Sequence, residues 1–217
     1  MKRLVVATGN TGKLKEIRAI LADLHVEVVS LADYPGVEPV EEDGATFEAN
    51  AVKKALHVAR ATGCITLADD SGLEVDALGG APGVQSARFA GPDATDASNN
   101  AKLLSLMADV PDEERTARFR CAMAVATPEG KVEVAEGVCE GFVTREERGE
   151  KGFGYDPLFF VPASLLTFGE LPEGIKNAIS HRGRALAGAR KVLEALLAGE
   201  SCRPSHSCRG GPPRGIR

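Results

Sequence analysis

The chain has 217 residues, 43% of them hydrophobic and 26% charged, with a formal net charge of −5. That length and composition suit a soluble domain with a substantial core, and the acidic balance argues against a general nucleic-acid-binding surface. No apolar run approaches the roughly 20 residues of a membrane-spanning helix, so neither membrane nor nucleic acid is an expected partner.

Residues 2–7 (KRLVVA) read as a buried β-strand, too short an apolar run for a signal peptide. The turn TGNTG at 8–12 follows. Leu14, Ile17, Ile20, Leu21 and Leu24 then recur at helical spacing, predicting a helix from about Lys13. A strand entering a small, Gly-containing turn and a helix with a lysine at its start can attract an anion through free amides and the helix dipole. It is not a Walker A loop, because GNTGK lacks the required gap and trailing Ser or Thr. An ordinary βα turn with a solvated lysine is the competing reading.

Residues 26–30 form a second strand candidate. A polar loop then leads to EEDGATFEANAVKKA at 41–55, where Thr46 looks like an N-cap for a helix ending near Gly63. The acids Glu41, Glu42 and Asp43 either favour that helix's dipole or supply an oxygen ligand to a metal. Glu48, Lys53 and Lys54 read as a solvated face. The run CITLA at 64–68 predicts a short strand closed by Asp69 and Asp70. Acids at the carboxyl end of a sheet strand stand where open α/β sheets bind ligands. Such a carboxylate could hold Mg²⁺ or activate a water, and Ser71 and Gly72 leave room for a substrate.

Asp96 opens another helix. Residues 115–126 and 132–143 are strand-like around the hairpin signal TPEGK, residues 158–161 form a further strand, and residues 184–197 the last helix. Within KGFGYDPLFFVP at 151–162, Phe153 and Tyr155 could stack on a purine, whereas Phe159 and Phe160 read as core. Lys176, His181 and Arg182 gather near a helix start and could donate to phosphate or to a base. The five cysteines, an odd number without a Cys-x-x-Cys pair, imply reduced thiols and a cytoplasmic location.

Strands alternate with helices early, and an antiparallel pair fills the middle. The pattern predicts an α/β fold with a mixed sheet in two lobes and a groove between them. Residues 1–198 would form this domain. Residues 199–217, with four arginines against one glutamate and no apolar face, would be a disordered basic tail.

Taken together in this order, ATGNTGKLKE, EEDGATFEANA, ADDSGLEVDALGGAPG with its continuation VQSARFAG, KGFGYDP and ISHRGRAL resemble the inosine/xanthosine triphosphate pyrophosphatase family over residues 2–198. The resemblance implies hydrolysis of ITP, dITP and XTP to the monophosphate and pyrophosphate, with Mg²⁺ as cofactor, by a homodimer. It also implies that the mixed sheet is long and flanked by helices, and that the groove between the lobes binds a nucleotide. It places Thr8, Gly9, Asn10, Thr11, Gly12 and Lys13 on the triphosphate and Ser71 on the substrate. Asp70 would be proton acceptor and metal ligand, with Glu42 as the second ligand. Phe153, Gly154, Tyr155, Asp156, Lys176, His181 and Arg182 would frame the base. Lys151 departs from the family's usual glycine before GFGYD. A non-catalytic purine nucleotide-binding module is the alternative from another class. An aspartyl-phosphate phosphatase is a third reading, weakened because its acids commonly alternate and these are adjacent.

Overall fold

A computed structural model describes residues 2–199. The β-branched runs pair as expected: β1 (Lys2–Val6) lies parallel to β2 (Val26–Ser30) on one side and to β3 (Ile65–Val75) on the other. β3 is antiparallel to β4 (Thr116–Ala126), and β5 (Val132–Val143), β6 (Phe159–Val161) and β7 (Leu166–Thr167) continue antiparallel. The result is one mixed seven-stranded sheet in the order β2-β1-β3-β4-β5-β6-β7.

Among the described residues five α-helices flank the sheet: α1 (Thr11–Ile20), α2 (Phe47–Thr62), α3 (Asp96–Leu106), α4 (Glu173–Ile179) and α5 (His181–Gly199). The signals for α2 hold at both ends. Thr46 accepts from the Ala49 amide, and Gly63 closes the helix at φ 66°, a left-handed value that a Cβ would disfavour. Other bounds move. α1 starts at Thr11, two residues before the predicted start, because Asn10 caps it by accepting from the Lys13 amide. α5 starts at His181, three residues early, and Gly199, assigned to the tail by composition, is its last residue. The remaining expectation for the tail lies outside the described residues.

β3 differs most from expectation. The aspartates do not close it at residue 68; the strand runs through them to Val75. Asp, Ser and Gly are poor strand formers, but every position from Thr66 to Val75 is paired with β4, and that pairing overrides local preference. Neighbouring side chains of a strand point to opposite faces. Leu67 therefore joins a core with α1 and α5, whereas Ala68 joins one with α2.

A further core gathers Leu73, Val75, Phe119, Phe159 and Phe168 with Leu103 and Met107 near the far ends of the long strands. The two lobes are these apolar centres at either end of β3 and β4. Among the described residues, no helix is long and apolar enough to cross a membrane.

Candidate active site

β1 ends at Val6, while its neighbour β3 continues past it for eight residues beyond Leu67, the last position paired with β1. The uncovered edge of β3 faces the 8–10 turn and the start of α1. A cavity of about 330 Å³ opens there, lined by Thr8, Gly9, Asn10, Lys13, Glu42, Lys54, Asp70, Ser71, Phe153, Gly154, Tyr155, Asp156, His181 and Arg182, among others. Crevices at the carboxyl ends of sheet strands are where open α/β folds bind ligands. Thr11, Gly12 and Lys176 do not line it: Thr11 is exposed to solvent, Gly12 backs Phe153, and Lys176 is buried behind the wall.

The adjacent aspartates serve opposite faces of the sheet. Asp69, wholly buried, turns toward α1 and α5, where Lys13 Nζ lies at 2.9 Å and Arg182 Nε at 3.6 Å. Burial alone would push its carboxyl up, but Lys13, Arg182 and Lys54 outweigh that and hold it well below the usual carboxylate range. Asp70 turns toward α2. Its Oδ2 accepts from Asn50 Nδ2 at 2.9 Å, and Asn50 Oδ1 accepts from the Gly44 amide at 2.8 Å. One buried amide thus ties Asp70 to the acidic loop. Burial raises the Asp70 pKa above its ordinary value against the pull of Lys54 and Asn50.

Lys54 corrects the expectation of a solvated helix face. Its ammonium lies 3.1 Å from Glu42 Oε1 and 3.9 Å from Asp70 Oδ1, and donates to the Asp69 carbonyl oxygen at 2.7 Å. The signal was present in the sequence: Phe47, Asn50, Ala51, Lys54, Ala55 and Val58 form one stripe at helical spacing. Lys53, by contrast, pairs with Asp43 at the surface.

Behind the cavity runs a buried ion network. Glu16 of α1 accepts from Lys176 Nζ at 2.8 Å and Arg182 Nη1 at 2.5 Å, and Lys176 also pairs with Asp156. Burial works against the Glu16 charge, but Arg182 and Lys176 keep its pKa low. Burial raises that of Asp156, with Lys176 opposing. Arg182 also donates from Nη2 to Ser71 Oγ at 3.0 Å. Lys176 thus braces the site from behind, through Asp156 in its wall.

The aromatic part divides. Tyr155 is core: its ring is buried and its hydroxyl donates to the Ser86 carbonyl oxygen at 2.8 Å. Phe153 is half-buried at the cavity wall, with Lys176 Nζ 5.0 Å and Arg182 Cζ 5.5 Å from its ring centroid. Gly12 makes room for it, since a Cβ there would fall 2.6 Å from Phe153 Cδ1. His181 stacks on Phe119, centroids 4.6 Å apart, and burial, then Arg182 and Lys176, hold it neutral. Among the described residues its Nδ1 and Arg182 Nε have no hydrogen-bond partner, although Arg182 Nε faces Asp69 Oδ2 at 3.6 Å. Of the two phenylalanines expected in the core, Phe159 is fully buried and Phe160 partly so, beneath Arg148.

Sequence comparison decides the ancestry of this arrangement, for the profile described as the Ham1 family matches residues 4–192. The chain belongs to the Ham1 family. It is 58% identical over 194 residues to the dITP/XTP pyrophosphatase of Desulforamulus reducens, covering 89% of this chain and 96% of the relative. It is also 58% identical over 187 residues to the dITP/XTP pyrophosphatase of Geobacter sulfurreducens, covering 86% and 94%. A Ham1 protein of known structure from Coxiella burnetii superposes with a TM-score of 0.81 at 43% identity, covering 90% of this chain and all of that one. The nucleoside-triphosphatase (dITP/XTP pyrophosphatase) of Mycobacterium abscessus gives 0.70 at 48% identity, covering 86% and 98%. The mixed α/β architecture is therefore that of Ham1 proteins.

Proposed function

We propose that the chain hydrolyses the non-canonical purine nucleoside triphosphates ITP, dITP and XTP to the monophosphate and pyrophosphate. One observation carries the reading: a single cavity brings together the turn and Lys13, the Glu42–Lys54–Asp70 cluster, and Phe153 with His181 and Arg182. The names of the relatives support it.

In this reading Thr8, Gly9, Asn10 and Lys13, with the first amides of α1, bind the triphosphate. Ser71 helps to seat it. Asp70, held by Asn50 at the cavity wall, accepts the proton of the attacking water. Phe153 offers a face to the purine. The neutral His181 ring keeps one N–H and Arg182 carries donors only, so these two lining residues fit a base with an oxygen at C6, and the amine of adenine would leave a donor unsatisfied.

No group of three or more His, Cys, Asp or Glu forms a ready-made metal cage among the described residues. Mg²⁺ does not need one, since one or two carboxylates, water and substrate phosphates suffice. Glu42 and Asp70 fit that role, and the Lys54 ammonium between them marks a place that favours positive charge. When bound, Mg²⁺ would spread the charge of the departing pyrophosphate.

Purified protein is expected to release pyrophosphate from ITP and XTP, to prefer them to ATP by more than about 100-fold, and to lose turnover in excess EDTA until Mg²⁺ is restored. Binding of ITP without hydrolysis at saturating Mg²⁺ would instead support the non-catalytic module. The family resemblance extends the proposal to a homodimer in the cytoplasm. Sedimentation velocity is expected to show twice the mass of the chain, and a monomer at micromolar concentration would refute the dimer.

A further inference from the structure

We propose that Asp96 and Asn100 of α3 are positioning residues that set the affinity for the purine by clamping Gly154, and through it the ring of Phe153. The proposal rests on the reading that Phe153 packs on the base. Gly154 is left-handed, at φ 61°; on either side the Phe153 amide donates to Asp156 Oδ2 at 2.8 Å and the Tyr155 hydroxyl to Ser86, so the glycine's own amide and carbonyl are what remain to be fixed. Two side chains one helical turn apart do so. Asp96 Oδ2 accepts from the Gly154 amide at 2.6 Å, and Asn100 Nδ2 donates to the Gly154 carbonyl oxygen at 3.2 Å. The amide on one side of the glycine and the carbonyl on the other are thus gripped by a single helix face.

α3 has no need of these contacts to stay in place. Its Leu103 and the adjoining Met107 lie in the far core, Thr95 caps its start, and Asn99 bonds to the Ala90 amide and the Ala87 carbonyl. Asp96 is exposed at the cavity rim, so its carboxylate adds little to packing, and its Oδ2 is committed to the Gly154 amide. What it adds is direction. Phe153 has Gly12 behind it and two cations over its ring, and small displacements of such a platform weaken binding to whatever stacks on it.

The test compares steady-state kinetics on ITP with inhibition by inorganic tripolyphosphate, which has phosphates but no base. Asp96→Ala and Asn100→Ala are each expected to raise KM for ITP by about tenfold, the weight of one hydrogen bond, with kcat within about twofold of the parent. The tripolyphosphate inhibition constant should not change. Asp96→Asn keeps an acceptor for the Gly154 amide and should restore the parental KM. An unchanged KM in Asp96→Ala overturns the clamp, as does a loss shared equally by ITP and tripolyphosphate. Phe153→Ala separates the layers. If it raises KM and Asp96→Ala does not, stacking stands and the clamp falls; if it leaves KM unchanged, the stacking reading itself fails.

Discussion

Asp70→Asn is expected to lower kcat for ITP by about 1,000-fold or more while leaving the fold intact, because it removes the proton acceptor and one of the two carboxylates proposed to hold Mg²⁺. The substitution is nearly isosteric. Asn50 can still meet the new side chain, and a buried carboxyl that burial already disfavours as an anion gives way to a neutral amide. Lys54 keeps Glu42 and the Asp69 carbonyl as partners. The check is pyrophosphate release together with a thermal melt. A kcat within about tenfold of the parent, with normal melting, would take the role of base away from Asp70.

The second large effect falls on stability. Glu16, Asp69 and Asp156 face Lys13, Lys176 and Arg182 in one buried network. Glu16→Ala leaves a buried positive charge without its counterpart and is expected to cost about 3–5 kcal/mol of folding free energy, read from urea unfolding. The pH dependence has a definite sign. The folded pKa of Glu16 is below its ordinary value of 4.5, so its contribution is fully present above that value and is lost as pH falls through the folded one. The stability of Glu16→Gln should therefore decline less steeply than that of the parent on acidification. Equal acid slopes would show that folding does not lower the Glu16 pKa.

Much of this was legible in the chain itself. β-branched runs, the Thr46 cap and Gly63 marked their elements correctly, because local preference and tertiary context agree there. The turn, the acids and the aromatic segment were recognisable as candidate site pieces, and the structure places them around one cavity. Glu16 was invisible as a site-bracing residue: its partners lie 160 and 166 positions away, and such pairing leaves no local mark. Lys54 was misjudged because a pair of lysines suggests a wet surface, although only one of them shares the stripe of Phe47 and Asn50. α4 was missed because its seven residues are too few for periodicity to stand out.

The opposite bearings of Asp69 and Asp70 make strand alignment part of the chemistry. A slip of β3 by a single residue against β4 would exchange the two carboxylates, sending the anchor of Lys13 toward α2 and the Asn50-bound acid toward Arg182. The ten rungs that join these strands therefore guard which acid meets the substrate, and a ladder half as long would leave that choice less well defended.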